Sequence, residues 1–216
     1  MPNVKNNVAA QETRRKLIEA AGEVFAERGL HAATIKQITD RAGVNTAAIN
    51  YHFSDKFELY AAVIRHALSL TLERRSAART MGSHEQQLRA YVAEVIGDLY
   101  DSSLPAWRTT LLGHELAQPT AALDAVVDEL IRPRARFVQS IVRGIAGSKV
   151  PEKQVLRAAL SVWAQCFILV YNSELIRRLN PDVLRDSEGL VEHITEFSMA
   201  ALVAMRKRYQ GGRHRR

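Results

Sequence analysis

The chain has 216 residues, 47% of them hydrophobic, with a formal net charge of +7 and one cysteine. That apolar share suits a folded globular chain and excludes a disordered one, and a lone cysteine excludes an internal disulfide framework. No signal-peptide pattern opens the sequence, and its best apolar run, Val162 to Tyr171, is about half of a membrane span, so a cytoplasmic protein with no membrane partner is expected.

Residues 1–10 read as a flexible arm. From about Gln11, Leu17, Ala21, Val24 and Phe25 recur at helical spacing until Gly29, which predicts a first helix. Arg14, Arg15 and Lys16 lie in its first turns, within reach of phosphate or as a solvated basic face. Thr34 followed by Gln37 is a capping box, and Ile35, Ile38 and Ala42 then share one face. Gly43 stands where a chain leaves a helix through a left-handed residue. Asn45 caps the next helix, with Val44 and Ile49 placed as a hydrophobic staple. Helix, glycine-containing turn and helix are the layout of a helix-turn-helix, whose second helix enters the major groove of DNA. In that second helix Ile49 and Phe53 point inward. Thr46, Ala47, Asn50 and Tyr51 point outward, the first two towards thymine methyls and Asn50 towards adenine or phosphate. Lys36, Asn45, His52 and Lys56 complete the predicted DNA-binding set with Thr34. After a cap at Ser54, a helix carrying Tyr60, Val63, Ile64 and Ala67 runs to about Arg79, long enough to join two domains. Met81-Gly82-Ser83 marks the boundary.

The segment AGVNTAAINYHFSDKFELY resembles the helix-turn-helix of TetR-type transcriptional regulators, with their Ala-Gly-Val turn and aromatic–x–His–Phe followed by Ser/Asn–Lys. The family usually carries Gly-Thr-Leu-Tyr where this chain has Ala47-Ala48-Ile49-Asn50. The run Asn50-Tyr51-His52-Phe53 is similar to the CecR-type subgroup. The close resemblance spans roughly Thr13 to Leu70. It implies phosphate roles for Thr34, Tyr51 and Lys56, a homodimer formed through the last two helices, and repression of an operator relieved by a small-molecule effector.

Beyond residue 83 only helices are predicted. His84–Tyr100 carries Leu88, Tyr91, Val92, Val95 and Ile96, and Pro105 suits the start of a helix through Trp107, Leu111 and Leu112. Gln118-Pro119-Thr120 interrupts it. The following helix continues towards Ile145 with a kink expected at Pro133. Arg132, Arg134 and Arg136 around that proline make either a solvated face or an anion site. Two long helices, about Glu152 to Leu179 and about Ser187 to Tyr209, close the domain. Their broad apolar bands predict a dimer interface of Val155, Val162, Phe167, Ile194, Phe197 and Ala201. Polar or aromatic positions within apolar helices nominate an effector pocket of Trp107, His114, Glu115, Trp163, Cys166 and Tyr171. Residues 206–216 hold six Lys/Arg and no Asp/Glu, whereas residues 1–56 hold eight against six. The basic excess therefore belongs to a solvated tail more than to the DNA reader.

The fold class expected is all-α. A helix-turn-helix domain spans 11–56, a connecting helix 57–80, a regulatory and dimerisation domain 81–209, and a disordered basic tail 210–216. Catalysis is not expected. His114-Glu115 begins like a zinc-protease motif, but Gln118 stands where its second histidine belongs, and no phosphate loop, nucleophile elbow, cofactor motif or metal cluster is present. The function expected is a ligand-responsive repressor that binds a palindromic double-stranded DNA operator as a dimer and is released by a small hydrophobic effector. The alternative is a DNA-binding adaptor whose helical domain takes a protein partner instead.

Overall fold

Helix α1 (Val4–Ala32) opens the computed structural model, which describes residues 4–72 and 82–211. It begins earlier than the expected Gln11 because no glycine or proline lies between Val4 and Gln11 to stop it, and Ala9 and Ala10 favour a helix. Residues 4–10 are thus helical and not a free arm. Gly29, at φ 72° and ψ 168°, breaks the helix near its end as the sequence predicts. There follow α2 (Ile35–Ala42), α3 (Ala47–His52), α4 (Lys56–Leu72), α5 (His84–Tyr100), α6 (Trp107–Ala117) and α7 (Ala121–Val126). A π-helical stretch (Val127–Ile131) leads into α8 (Arg132–Ala146), then α9 (Glu152–Tyr171), α10 (Ser173–Leu179) and α11 (Ser187–Gln210). Among the described residues every regular element is helical, and the chain is all-α.

The chain divides into two compact units. The first combines Met1–Leu72 with Leu104–Leu130, and the second combines Glu73–Ser103 with Ile131–Arg216. Residues 104–130 thus pack with the N-terminal helices, whereas the sequence reading assigned them to the regulatory domain. The reason lies in their side chains. Trp107 lies flat against Gly22 of α1, so close that a Cβ there would stand 2.5 Å from the indole ring. Its ring nitrogen donates to Glu19 at 3.3 Å. The core of this unit joins Leu17, Val24 and Phe25 of α1, Ile38 of α2, Ile49 of α3, Leu59, Tyr60, Val63 and Ile64 of α4, and Leu111 and Leu112 of α6, all buried. Phe25 meets Tyr60 edge to face at 5.0 Å, an arrangement that adds to the burial of both rings. Arg65 of α4 reaches Glu129 of the π-helical stretch at 3.0 Å.

In the second unit, α5, α8, α9 and α11 surround a core that includes Leu88, Tyr91, Ile96, Ile141, Val142, Val155, Val162, Cys166 and Ile194. The kink expected at Pro133 takes the form of the π-helical stretch before it. Proline has no N–H to give the carbonyl four residues back, and the wider turn absorbs the loss. The single long helix expected from Glu152 to Leu179 is broken at Asn172, where φ −121° and ψ 25° leave the helical region. Helix α9 has 20 residues and holds an 18-residue window with a mean hydropathy of 1.4, long and apolar enough by length and composition to cross a membrane. That departs from the sequence reading, which weighed only its last ten residues. Its buried side chains, from Val155 to Val170, belong to the core. The end of the expected connecting helix, residues 73–81, and the last five residues of the basic tail lie outside the described residues.

Candidate nucleic-acid interface and regulatory cavity

The α2–turn–α3 segment is built by short-range bonds that its sequence dictates. The Thr34 hydroxyl accepts from the Gln37 N–H at 3.3 Å while the Gln37 side chain accepts from the Thr34 N–H at 3.0 Å. At the other end, Gly43 adopts φ 65°, its N–H donates to the Asp40 carbonyl, and the Val44 N–H donates to the Thr39 carbonyl at 3.1 Å. This is a Schellman closure, which the absent Cβ of glycine permits. The Asn45 side chain then accepts from the Ala47 N–H at 2.9 Å and starts α3. The Arg41 guanidinium grips Glu27 of α1 through two hydrogen bonds of 2.7 and 3.2 Å, fixing α2 on its support. Beneath α3, Ile49 and Phe53 are buried, and Arg14 stacks its guanidinium 5.3 Å from the Phe53 ring centre.

Thr34, Lys36, Asn45, Thr46, Ala47, Asn50 and Tyr51 are all exposed. Ala47, Asn50 and Tyr51 share one face of α3 at helical spacing. Tyr51 is 77% exposed, unusual for a large aromatic ring, and meets the His52 ring edge-on at 4.8 Å. Burial, together with the nearby Arg14 charge, holds the His52 imidazole below its ordinary value and so favours its neutral form. Lys36 pairs with Asp40 at 2.8 Å on the open surface. Lys56 differs from expectation. Its ammonium donates to the carbonyls of His31 at 3.2 Å and Ala33 at 3.0 Å, which leaves one N–H for any phosphate. Of the basic residues in α1, Arg15 is engaged with Glu12 at 2.8 Å.

The second unit holds a cavity of about 380 Å³ between α8 and α9, with Tyr91 of α5 as part of its wall. Ile131, Val138, Leu156, Leu160 and Trp163 give it an apolar lining, and Arg134 is the cationic group within it. Of the six residues expected to form an effector pocket, Trp163 alone lines this cavity. Trp107 and Glu115 belong to the first unit, His114 is exposed, and Tyr171 stacks on Phe167 at 4.3 Å. Glu115 is a buried structural acceptor, bonded by Tyr60 at 2.7 Å and by the N–H and hydroxyl of Thr120 at 2.8 and 2.9 Å. Burial raises the Cys166 thiol to about 12, so it stays protonated and inert among core side chains. The sequence reading missed Tyr91, Gln139, Leu156 and Leu160; its one usable signal was the arginine run around Pro133.

The expected interface residues also divide. Val155, Val162 and Ile194 are buried in the unit's own core and cannot face a partner, and Phe167 is half-buried between Trp163 and Tyr171. Phe197 and Ala201 are exposed on α11, and Leu160 and Ile168 are exposed on α9. Each of these helices carries two apolar stripes, and periodicity does not say which one the protomer uses. Among the described residues no three His, Cys, Asp or Glu side chains come together as a metal set.

A family model for bacterial regulatory proteins of the tetR family matches residues 17–63. A second, for the C-terminal domain of the HTH-type transcriptional dual regulator CecR, matches residues 84–202. The HTH-type transcriptional activator FasR of Mycolicibacterium smegmatis is 38% identical over 123 residues, so the match spans 56% of this chain and little more than half of that relative. The fold is similar to a TetR-family transcriptional regulator from Streptomyces coelicolor, with a TM-score of 0.68 at 19% identity over 89% of this chain and 97% of that one. It is also similar to the transcriptional regulator FadR from Bacillus subtilis in complex with stearoyl-CoA, with a TM-score of 0.63 at 18% identity over 88% and 98%.

Proposed function

Because the chain belongs to the TetR family of bacterial transcriptional regulators, we propose that it represses transcription as a dimer on a palindromic operator and is released when a small apolar effector enters the α8–α9 cavity. Members of the family are DNA-binding proteins without enzymatic activity, and this chain is one. The observation that carries the reading is the α2–α3 segment, capped at both ends and seated on buried Ile49 and Phe53. A short helix anchored in that way can enter the major groove without reordering. In the groove, Thr46, Ala47 and Asn50 read base edges, while Thr34, Tyr51, Lys36 and the remaining N–H of Lys56 meet phosphates.

No arginine stands on the groove-facing side of α3, so affinity for one half-site is modest and a dimer on two half-sites supplies the rest. Their centres lie about 34–36 Å apart, or a multiple of that spacing. Phe197 and Ala201 on α11 with Ile168 on α9 supply the exposed apolar surface for the second copy. The effector acts by preferring one arrangement of the half-sites. The chain passes between the two units within the π-helical stretch, at Leu130–Ile131, and α8, which walls the cavity, continues from that stretch. Stearoyl-CoA in FadR supports an effector with an apolar chain.

Fluorescence anisotropy on DNA from the upstream intergenic region tests the reading. Binding to a palindrome at two protomers per site, weakened steeply by salt as counterions are released, is expected. A reporter gene driven by that DNA decides the sign, since FasR carries the name of an activator; induced expression on deleting the regulator supports repression.

A further inference from the structure

The wall of the α8–α9 cavity is mostly apolar, and besides Gln139 its polar groups are Arg134 and Tyr91, which stand together with few partners. Arg134 has a side chain only 18% exposed, and its ion-pair partner among the described residues is Glu94 at 3.4 Å, beyond good hydrogen-bond length. A guanidinium carries five N–H donors, so most of its capacity is unused. Its carbon lies 5.5 Å from the centre of the Tyr91 ring, which supports the charged plane from one face. Tyr91 is 1% exposed; its hydroxyl meets no acceptor, and its near polar neighbour is the Arg134 guanidinium itself, which cannot accept a hydrogen bond. Burial raises that phenol above its ordinary value, although the Arg134 charge and its hydrogen bond pull the other way, so the hydroxyl keeps a proton to donate. Buried donors without acceptors are rare and costly. A guanidinium with spare donors beside a hydroxyl without an acceptor, both on the wall of a mostly apolar cavity, describes the missing group.

We propose that the effector is an amphipathic monocarboxylate, with its apolar chain along Val138, Leu156, Leu160 and Trp163 and its carboxylate on the Arg134 guanidinium. The proposal rests on the reading of this cavity as the effector site. A carboxylate matches the planar fork of arginine with two parallel bonds, which an alcohol or an ester cannot. The Tyr91 hydroxyl is the second donor available to a head group seated beside Arg134. Glu94 holds the guanidinium in place and leaves the net charge of the site near zero, which suits a single negative charge and disfavours a doubly charged phosphate. At about 380 Å³ the cavity is near the lower end of small-molecule sites, with room for a medium-length chain.

Calorimetry on the full chain with decanoate, decanol and decanoyl-CoA tests this, with decanoate dissociating a fluorescent operator duplex as the second readout. Decanoate is expected to bind wild type at least tenfold more tightly than decanol. R134Q is expected to lose at least tenfold in decanoate affinity while binding decanol as before, R134K to recover part of the loss, and Y91F to lose several-fold. Operator binding without ligand and an unchanged melting profile establish that each variant is folded. Equal affinity for decanoate and decanol, or an R134Q variant that keeps its decanoate affinity, overturns the carboxylate. So does binding of decanoyl-CoA alone, or of none of the three. Release of the operator by decanol would overturn the head group while leaving the cavity as the effector site, and failure to bind operator at all would be a failure of the DNA-binding reading instead.

Discussion

The Tyr60 hydroxyl donates a 2.7 Å hydrogen bond to the carboxylate of Glu115, and both residues are buried. The bond ties α4 to α6, and Glu115 in turn accepts twice from Thr120, where α7 begins. A carboxylate that has left water depends on all three donors. Tyr60→Phe removes one of them at little cost in volume, so a loss of about 1.5–3 kcal/mol in unfolding free energy is expected, measured by urea titration. The same bond sets a pH dependence. Burial and the Glu115 charge raise the Tyr60 phenol above its ordinary value near 10, so the unfolded chain releases its proton first. That stability is present in full below about pH 10 and declines as pH climbs above it. The Y60F variant should show a shallower alkaline decline than wild type.

The DNA reader was legible because its signals are local. The Thr34–Gln37 box, the left-handed Gly43 and the Asn45 bond to Ala47 each involve residues within five positions of one another. The first two form as the sequence predicts, while the cap position of α3 falls on Thr46, one residue after Asn45, with no side-chain cap bond of its own. The cavity was not legible for the opposite reason. Its wall joins residues from Tyr91 to Trp163, and helical periodicity reports only that a stripe is apolar, not which neighbour it faces. Trp107, His114 and Glu115 were polar or aromatic positions in an apolar helix, as a pocket would have, but Gly22 receives the indole and Tyr60 and Thr120 satisfy the carboxylate. Lys56 shows the same limit: its spacing from Tyr51 fits a phosphate contact, while the two carbonyls that hold it lie more than 20 positions away.

Tyr51 stands free of the core, so its loss should separate DNA binding from folding. Tyr51→Ala is expected to weaken operator binding about tenfold with an unchanged melting temperature and dimer. Lys36→Ala removes an exposed pair with Asp40 worth less than about 1 kcal/mol to the fold. It should reduce the slope of log affinity against log salt by about one for each half-site. Anisotropy titrations at several salt concentrations read both, and an unchanged slope for K36A would remove Lys36 from the interface.

Phe197, at 62% exposed, is the largest apolar side chain left open on α11. Phe197→Glu adds a charge at a position that costs the protomer's own core nothing, so it should yield a folded monomer with strongly reduced operator affinity. Val162→Glu, by contrast, should unfold the second unit, because that side chain is 2% exposed. Light scattering coupled to size exclusion distinguishes the two outcomes, and a dimeric F197E would move the interface elsewhere.

Ala135 lines the cavity and is itself exposed, which makes it a position from which the cavity can be filled without disturbing the core. Ala135→Phe places a ring over the space between α8 and α9, in a helix that tolerates it at a small propensity cost. Wild type and the variant should bind operator alike in the absence of effector, since Ala135 is not one of the DNA-reading residues. Trp163 on the opposite wall reports occupancy through its fluorescence. In wild type an effector should change that emission and release the operator, and in A135F both responses should weaken at least tenfold together. An A135F variant that still releases the operator at the same effector concentration would show that the effector acts from another site, whatever its head group.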